Sequence, residues 1–231
     1  MLMARKSRER KEREMATLIF FDKGHLYELN GEQVPSVSEI ARFVSREVYG
    51  NVEQYTLDNA SSRGTAVHKS TEVLDKYNEV ECDPSIEPYI RAYIKFRKDY
   101  GIKEYVAIEK ALASENMRFA GTIDRIATIT KEFADTFKAQ TKRDISNLIG
   151  KLAIIDIKSS AVVQKVLAPI QLNGYEKLVT ENKIGEVGLL LILHLNKEEK
   201  YKVHDFELND TLFMSCYNLH KALEKKKRKK R

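Results

Sequence analysis

The sequence predicts an α/β fold: a mixed central β-sheet flanked by helices, with an amino-terminal half that is largely helical. Three observations lead there. Helical spacing dominates from about Ser38 to Tyr100; three strand-like runs then follow; and a helix beginning near Pro169 returns the chain to two further apolar runs, near 185–196 and 200–206.

Taken in order, LIFFD and HLYEL, followed by Asn30-Gly31, suggest a small hairpin, since Asn-Gly accepts the positive φ angles of a tight turn. A helix is expected from about Ser38, capped by Ser36 or Ser38. A longer one is expected from about Ser62 to Tyr77, and a third from about Ser85 to Tyr100, closed by Gly101. EYVAIEKALA at 104–113, MRFAGTIDRIATIT at 117–130 and KLAIIDIK at 151–158 read as a meander of three strands. Between the last two lies KEFADTFKAQTKRDISNLIG, about 131–150, too long for a turn and partly helical or mobile, with DNA gripping or oligomer formation as conceivable uses. Pro169 is tolerated in the first turn of the next helix, and a last helix runs from about Asp210 into the basic end.

A 42% hydrophobic content in 231 residues suffices for a core. The expected organisation is a basic tail at 1–16, one domain at 17–220 carrying the 131–150 insertion, and a basic tail at 221–231. No run approaches the roughly 20 apolar residues of a membrane span, and MLMARKSRERKERE lacks the apolar segment of a secretory signal, so no membrane partner and a cytoplasmic location are expected. Only Cys82 and Cys216 are present, too few for a disulfide framework, a four-cysteine zinc site or an iron–sulfur cluster. Any metal must be held by oxygen and nitrogen.

The net charge of +6 is carried by the ends. Residues 1–14 hold six Lys/Arg and three Glu, and residues 221–231 hold eight Lys/Arg and one Glu. Removing those from 40 bases and 34 acids leaves 26 and 30, so the body is net −4. The tails are either nucleic-acid contacts or ordinary solvated ends; the acidic body points to carboxylates with another use.

An acid two residues before a lysine occurs five times, at Glu9-Lys11, Asp156-Lys158, Glu181-Lys183, Glu198-Lys200 and Glu224-Lys226. Only Asp156-Lys158 ends an apolar strand, and strand alternation puts both side chains on one face. An unpaired charge in such a setting costs several kcal/mol, roughly, so the pair is either a salt bridge or a site. Asp124 repeats the anomaly in RFAGTIDRIATI. If the two strands pair, Asp124 and Asp156 lie side by side at one sheet edge, and two adjacent carboxylates call for a cation between them; oxygen ligands suit Mg2+ or Mn2+.

GTIDRI, then IIDIKSS, then QLNGY, with RGTAVH upstream, resembles the RecB-type branch of the PD-(D/E)XK nuclease superfamily over residues 24–206, in the order of the motifs rather than in any one of them. The resemblance implies a restriction-endonuclease-like core at 17–220 and a Mg2+- or Mn2+-dependent DNA nuclease, an exonuclease on linear DNA in recombination, repair or phage DNA processing. It implies His68, Asp124 and Asp156 as metal ligands, with the Ile157 carbonyl as a further one. Lys158 would orient the attacking water, making Lys158, Asp156 and Asp124 the catalytic set. Gln171 and Tyr175, i and i+4 on one helix face, would contact phosphate or base. A bacterial or phage-infected cell is the implied setting, with DNA as partner and a homo-oligomer, or a recombination or single-strand-binding protein, as further partners. The insertion is longer than the family's short hairpin, and the cysteine count restricts the resemblance to members without an iron–sulfur cluster.

Glu109 is an additional ligand or a strand-end salt-bridge partner, and Arg63 and Arg125 contact phosphate or pair with acids of the body. His25, His194, His204 and His220 have no supporting context and are read as structural. The alternative function is a catalytically inactive nuclease fold that binds nucleic acid or assembles through its basic tails.

Overall fold

A computed structural model of the chain describes residues 17–21, 24–49 and 54–228. The segment 1–16 and residues 229–231 lie outside them, and with them the amino-terminal tail and the tip of the carboxy-terminal one.

The chain begins with three antiparallel strands, β1 (Leu18–Phe21), β2 (Leu26–Leu29) and β3 (Glu32–Val34). Asn30 and Gly31, at φ 53° and 78°, turn β2 into β3, so the Asn-Gly signal joins a pair the expected hairpin did not include. Helix α1 (Val37–Ile40) starts at Ser36, whose side chain accepts the Glu39 N–H at 2.9 Å, the cap the sequence anticipates. Next come α2 (Arg42–Tyr49), α3 (Gln54–Tyr77) and α4 (Glu87–Asp99). Helix α3 starts well before Ser62; Ser61 and Ser62 lie inside it, and the Thr65 hydroxyl donates back to the Ser61 carbonyl at 3.1 Å.

Five strands form the central sheet in the order β4 (Ala107–Ser114), β5 (Phe119–Thr128), β6 (Leu152–Lys158), β7 (Val187–Leu195) and β8 (Tyr201–Phe206). The first three are the expected antiparallel meander; β6 and β7 run parallel, linked by α6 (Leu167–Glu181), and β8 returns antiparallel. The class is therefore the mixed sheet flanked by helices that the sequence predicts. One detail is corrected: β5 and β6 are interior strands, so Asp124 and Asp156 sit in the middle of the sheet and not at its edge.

Alternation sorts the β6 side chains onto two covered faces. Ala153, Ile155 and Ile157 pack beneath α3 and α4 with Val67, Leu74, Tyr93 and Phe96. Leu152 and Ile154 pack beneath α6, with α1 and α7 (Thr211–Arg228) contributing Val37, Ile40, Phe213 and Tyr217. Fully burying each such side chain contributes about 1.5–3 kcal/mol. Helices α1, α6 and α7 approach so closely at Gly174 that a Cβ there would lie 2.7 Å from Phe213 and 2.8 Å from Val37.

The 131–150 segment is part of this core. Residues Lys131–Thr141 form α5, capped by Thr130 and followed by a 3-10 turn at Ser146–Leu148. Phe133, Phe137 and Ile145 are buried with the α4 aromatics, Phe133 meeting Tyr100 edge-on at 4.8 Å. The spacing of Phe133 and Phe137, one helical turn, turns their stripe inward, so this stripe packs on the parent core while Lys138, Lys142 and Arg143 stay exposed. Among the described residues no helix is long and apolar enough to cross a membrane.

Candidate active site

Strand register builds the site. Between the pairs Ile108↔Arg125 and Lys110↔Ile123, Glu109 faces Asp124; continuing the pair Arg125↔Ile155 by one residue sets Asp124 opposite Asp156. Three carboxylates therefore stand in a row across β4, β5 and β6, with Lys158 one step further along the Asp156 face. Glu109 has φ 44°, a left-handed conformation that costs an ordinary residue about 1–2 kcal/mol inside a strand. Strain of this kind collects at functional positions.

Helix α3 lays His68 over the row. Its Nε2 is 3.0 Å from the Ile157 carbonyl, which can only accept, so Nε2 carries the proton. The opposite nitrogen, Nδ1, lies 3.4 Å from Glu109 Oε1 and 3.6 Å from Asp124 Oδ2. Asp124 is fixed by the Ile157 N–H, donated to its Oδ2 at 2.6 Å. One ligand atom each from His68, Glu109 and Asp124 can be chosen so that all lie within 4.8 Å of one another, the spacing of a metal-binding group. Asp156 stands outside that trio but on the same cavity floor, its Oδ2 2.6 Å from Lys158 Nζ without the geometry of a hydrogen bond.

The electrostatics are those of a site short of positive charge. Asp156 is 1% exposed; burial pushes its carboxyl up, Lys158 opposes the rise, Asp124 adds to it, and the result is about 6. Asp124 is raised too, by burial first, with His68 pulling it back. Burial alone would lower the His68 imidazole, but Asp124 and Glu109 outweigh it and raise it to about 9. In the protein alone an imidazolium thus supplies the missing charge. A donor set of two or three carboxylate oxygens and one imidazole nitrogen fits a divalent cation, which would replace the proton on Nδ1.

The floor belongs to a cavity of about 840 Å³. Gln171 and Tyr175 of α6 line one wall, Gln171 Nε2 donating to the Tyr175 hydroxyl at 2.8 Å, which leaves that hydroxyl's own proton for a guest. Burial, then the Asp156 and Asp124 charges, hold the Tyr175 pKa well above the usual phenol range, so it stays protonated. Phe20 and Tyr27 of the amino-terminal sheet and His25, just before β2, also line the cavity, which no sequence motif signalled.

Arg125 takes the second of the two roles left open for it, pairing with acids, and neither arginine lines the cavity. Arg125 is fully buried: its Nε donates to Asp75 Oδ2 at 2.6 Å, and its other nitrogens reach Glu109 Oε1 at 2.9 Å, the Asp124 carbonyl at 2.6 Å and Thr71 Oγ1 at 3.1 Å. It is one residue past Asp124, so alternation turns it to the opposite face, under α3. Arg63 lies over the Tyr89 ring of α4 at 5.9 Å and does not line the cavity. The Ile157 carbonyl does reach the site, as the acceptor of His68. Thr71 and Asp75, one and two turns beyond His68, are site residues that the sequence reading missed; their signal is the shared helix face.

No family model matches the chain, and no curated protein matches it. Among solved structures, it is similar to a "Putative exonuclease" from Eubacterium rectale, at 13% identity, 80% of this chain, 76% of that chain and a TM-score of 0.45. A likeness at that level carries no argument about activity.

Proposed function

We propose that this chain is a divalent-metal-dependent nuclease that hydrolyses phosphodiester bonds of DNA, acting on linear DNA from its ends in recombination, repair or phage DNA processing. The observation that carries the reading is the row Glu109, Asp124 and Asp156 across three neighbouring strands, beneath His68 and beside Lys158. Mg2+ or Mn2+ fits the oxygen-rich set, with His68, Asp124 and Glu109 or Asp156 as its holders. When bound, such an ion would lower the pKa of a coordinated water and offset negative charge building on the phosphate.

The chain's own groups supply the rest. Lys158, on the face of Asp156, hydrogen-bonds the attacking water and offsets negative charge as it develops. The Tyr175 hydroxyl, steadied by Gln171, donates to a non-bridging phosphate oxygen. Glu109, held by Arg125, keeps His68 facing Asp124.

The test is digestion of end-labelled single-stranded, duplex and covalently closed circular DNA in Mg2+, with Lys158→Ala alongside. Release of nucleotides from linear DNA, resistance of the circle, and a loss of about 10²–10³-fold in Lys158→Ala are expected. Unimpaired activity of Lys158→Ala removes the assignment. Metal-independent binding without any cleavage would instead favour an inactive nucleic-acid-binding fold.

A further inference from the structure

Beside β8, at the opposite edge of the sheet from β4, lies a second cavity of about 570 Å³, lined by Gln140, Thr141, Lys165, Tyr201, Lys202 and His204 among others. Register connects it to the candidate active site. Lys158 pairs with His194 and His194 with Lys202, so these three stand in one line across β6, β7 and β8. The preceding line runs from Asp156 through Ile192 to His204. Paired residues share a face, and neighbouring strands are about 4.8 Å apart, so Lys202 stands about 10 Å from Lys158 on the active-site face.

The charge in this cavity is unbalanced. Among the described residues neither Lys165 nor Lys202 makes an ion pair, and Asp205, the one acid lining the cavity, is held by Arg143. His204 Nε2 is buried and has no hydrogen-bond partner. The neighbouring His194 ring, 6.0 Å away, is tied to the Ser160 carbonyl at 2.7 Å. A ring nitrogen without a partner, in a cavity whose two lysines make no ion pair, leaves room for a group that carries negative charge.

We propose that the β8 cavity is a phosphate subsite, in which Lys165, Lys202 and His204 hold the backbone of the same nucleic-acid strand whose scissile phosphate lies over Asp156 and Lys158. The assignment rests on the nuclease reading and adds a place for a neighbouring phosphate, one or two nucleotides along. It explains why the row of basic groups continues from the catalytic strand to the sheet edge.

The experiment measures binding of a fluorescein-labelled oligothymidylate by anisotropy across a salt series in EDTA, and KM and kcat on the same oligonucleotide in Mg2+. Lys165→Ala/Lys202→Ala is compared with Lys95→Ala/Lys98→Ala, which removes the same charge from exposed positions of α4. Unfolding midpoints establish that both variants are folded. Loss of two single-strand phosphate contacts lowers the slope of log K against log salt by about 1.4. A several-fold rise in Kd and KM at little-changed kcat is expected for the β8 variant alone. Equal losses in the two variants, or an unchanged slope, overturn the subsite even if wild type cleaves DNA. Inorganic phosphate that binds wild type while the oligonucleotide binds both variants equally also overturns it, leaving a free-anion site. Wild type that binds in this β8-dependent way yet never cleaves would keep the subsite and remove the nuclease reading.

Discussion

Replacing Arg125 by Met tests how the site is held together. The guanidinium is fully buried and supplies Asp75, Glu109, Thr71 and the Asp124 carbonyl at 2.6–3.1 Å. Removing one member of a buried ion pair costs about 3–5 kcal/mol, because the other charge is left in the interior. Asp75 keeps Arg97 at 2.9 Å, so the lower end, about 3 kcal/mol, applies. For a chain of this size that lowers the unfolding midpoint by about 6–12 °C. Urea denaturation monitored by circular dichroism measures it. The double variant Arg125→Met/Asp75→Leu should recover part of the loss, since Asp75 is then no longer left as a buried charge without Arg125. A single-variant loss below about 1 kcal/mol, or a double variant no better than the sum of the singles, refutes the argument that Arg125 is the buried tie between α3 and β5.

Three further outcomes are expected. Asp156→Asn should be inactive yet more stable than wild type at neutral pH in EDTA, by about 1–3 kcal/mol. The sign follows from the raised carboxyl: its stabilising effect is complete below the ordinary 3.8 and is lost as pH rises through about 6. Urea midpoints at pH 5 and 7.5 check this, and a variant less stable than wild type at pH 7.5 contradicts it. Since His68 holds its extra proton up to about 9, Mn2+ affinity by calorimetry should rise about tenfold per pH unit between 7 and 9, and a flat profile there excludes Nδ1 as a ligand. Finally, Phe137→Ala should cost about 3–5 kcal/mol, whereas a loss under about 1 would make 131–150 an appendage after all.

Much of this was legible because it is local. An apolar strand ending in Asp156 and Lys158, and Asp124 inside another, are visible wherever a charge interrupts a buried pattern. The Phe133 and Phe137 stripe was equally visible, but periodicity does not say whether a stripe faces the parent core or a partner. What stayed hidden depends on pairing between distant segments. Glu109 was poised between ligand and salt-bridge partner, and register gives it both neighbours, His68 and Arg125. Alternation alone turns Arg125 away from Asp124, yet its partner Asp75 lies fifty residues back, on a helix whose placement no local pattern fixes. The alignment of His194 and His204 with the Lys158 face was hidden for the same reason. They share a face with Lys158 only through the registers of β6 with β7 and β7 with β8.

The most direct test of the central claim is the rate of nucleotide release from linear DNA as Mg2+ is titrated from zero, in wild type and in Asp124→Asn. The row of carboxylates beneath His68 requires no cleavage without the ion, saturable activation in wild type, and activity in Asp124→Asn that is abolished or needs far more Mg2+. Cleavage in EDTA, or identical Mg2+ curves for the two proteins, would contradict it.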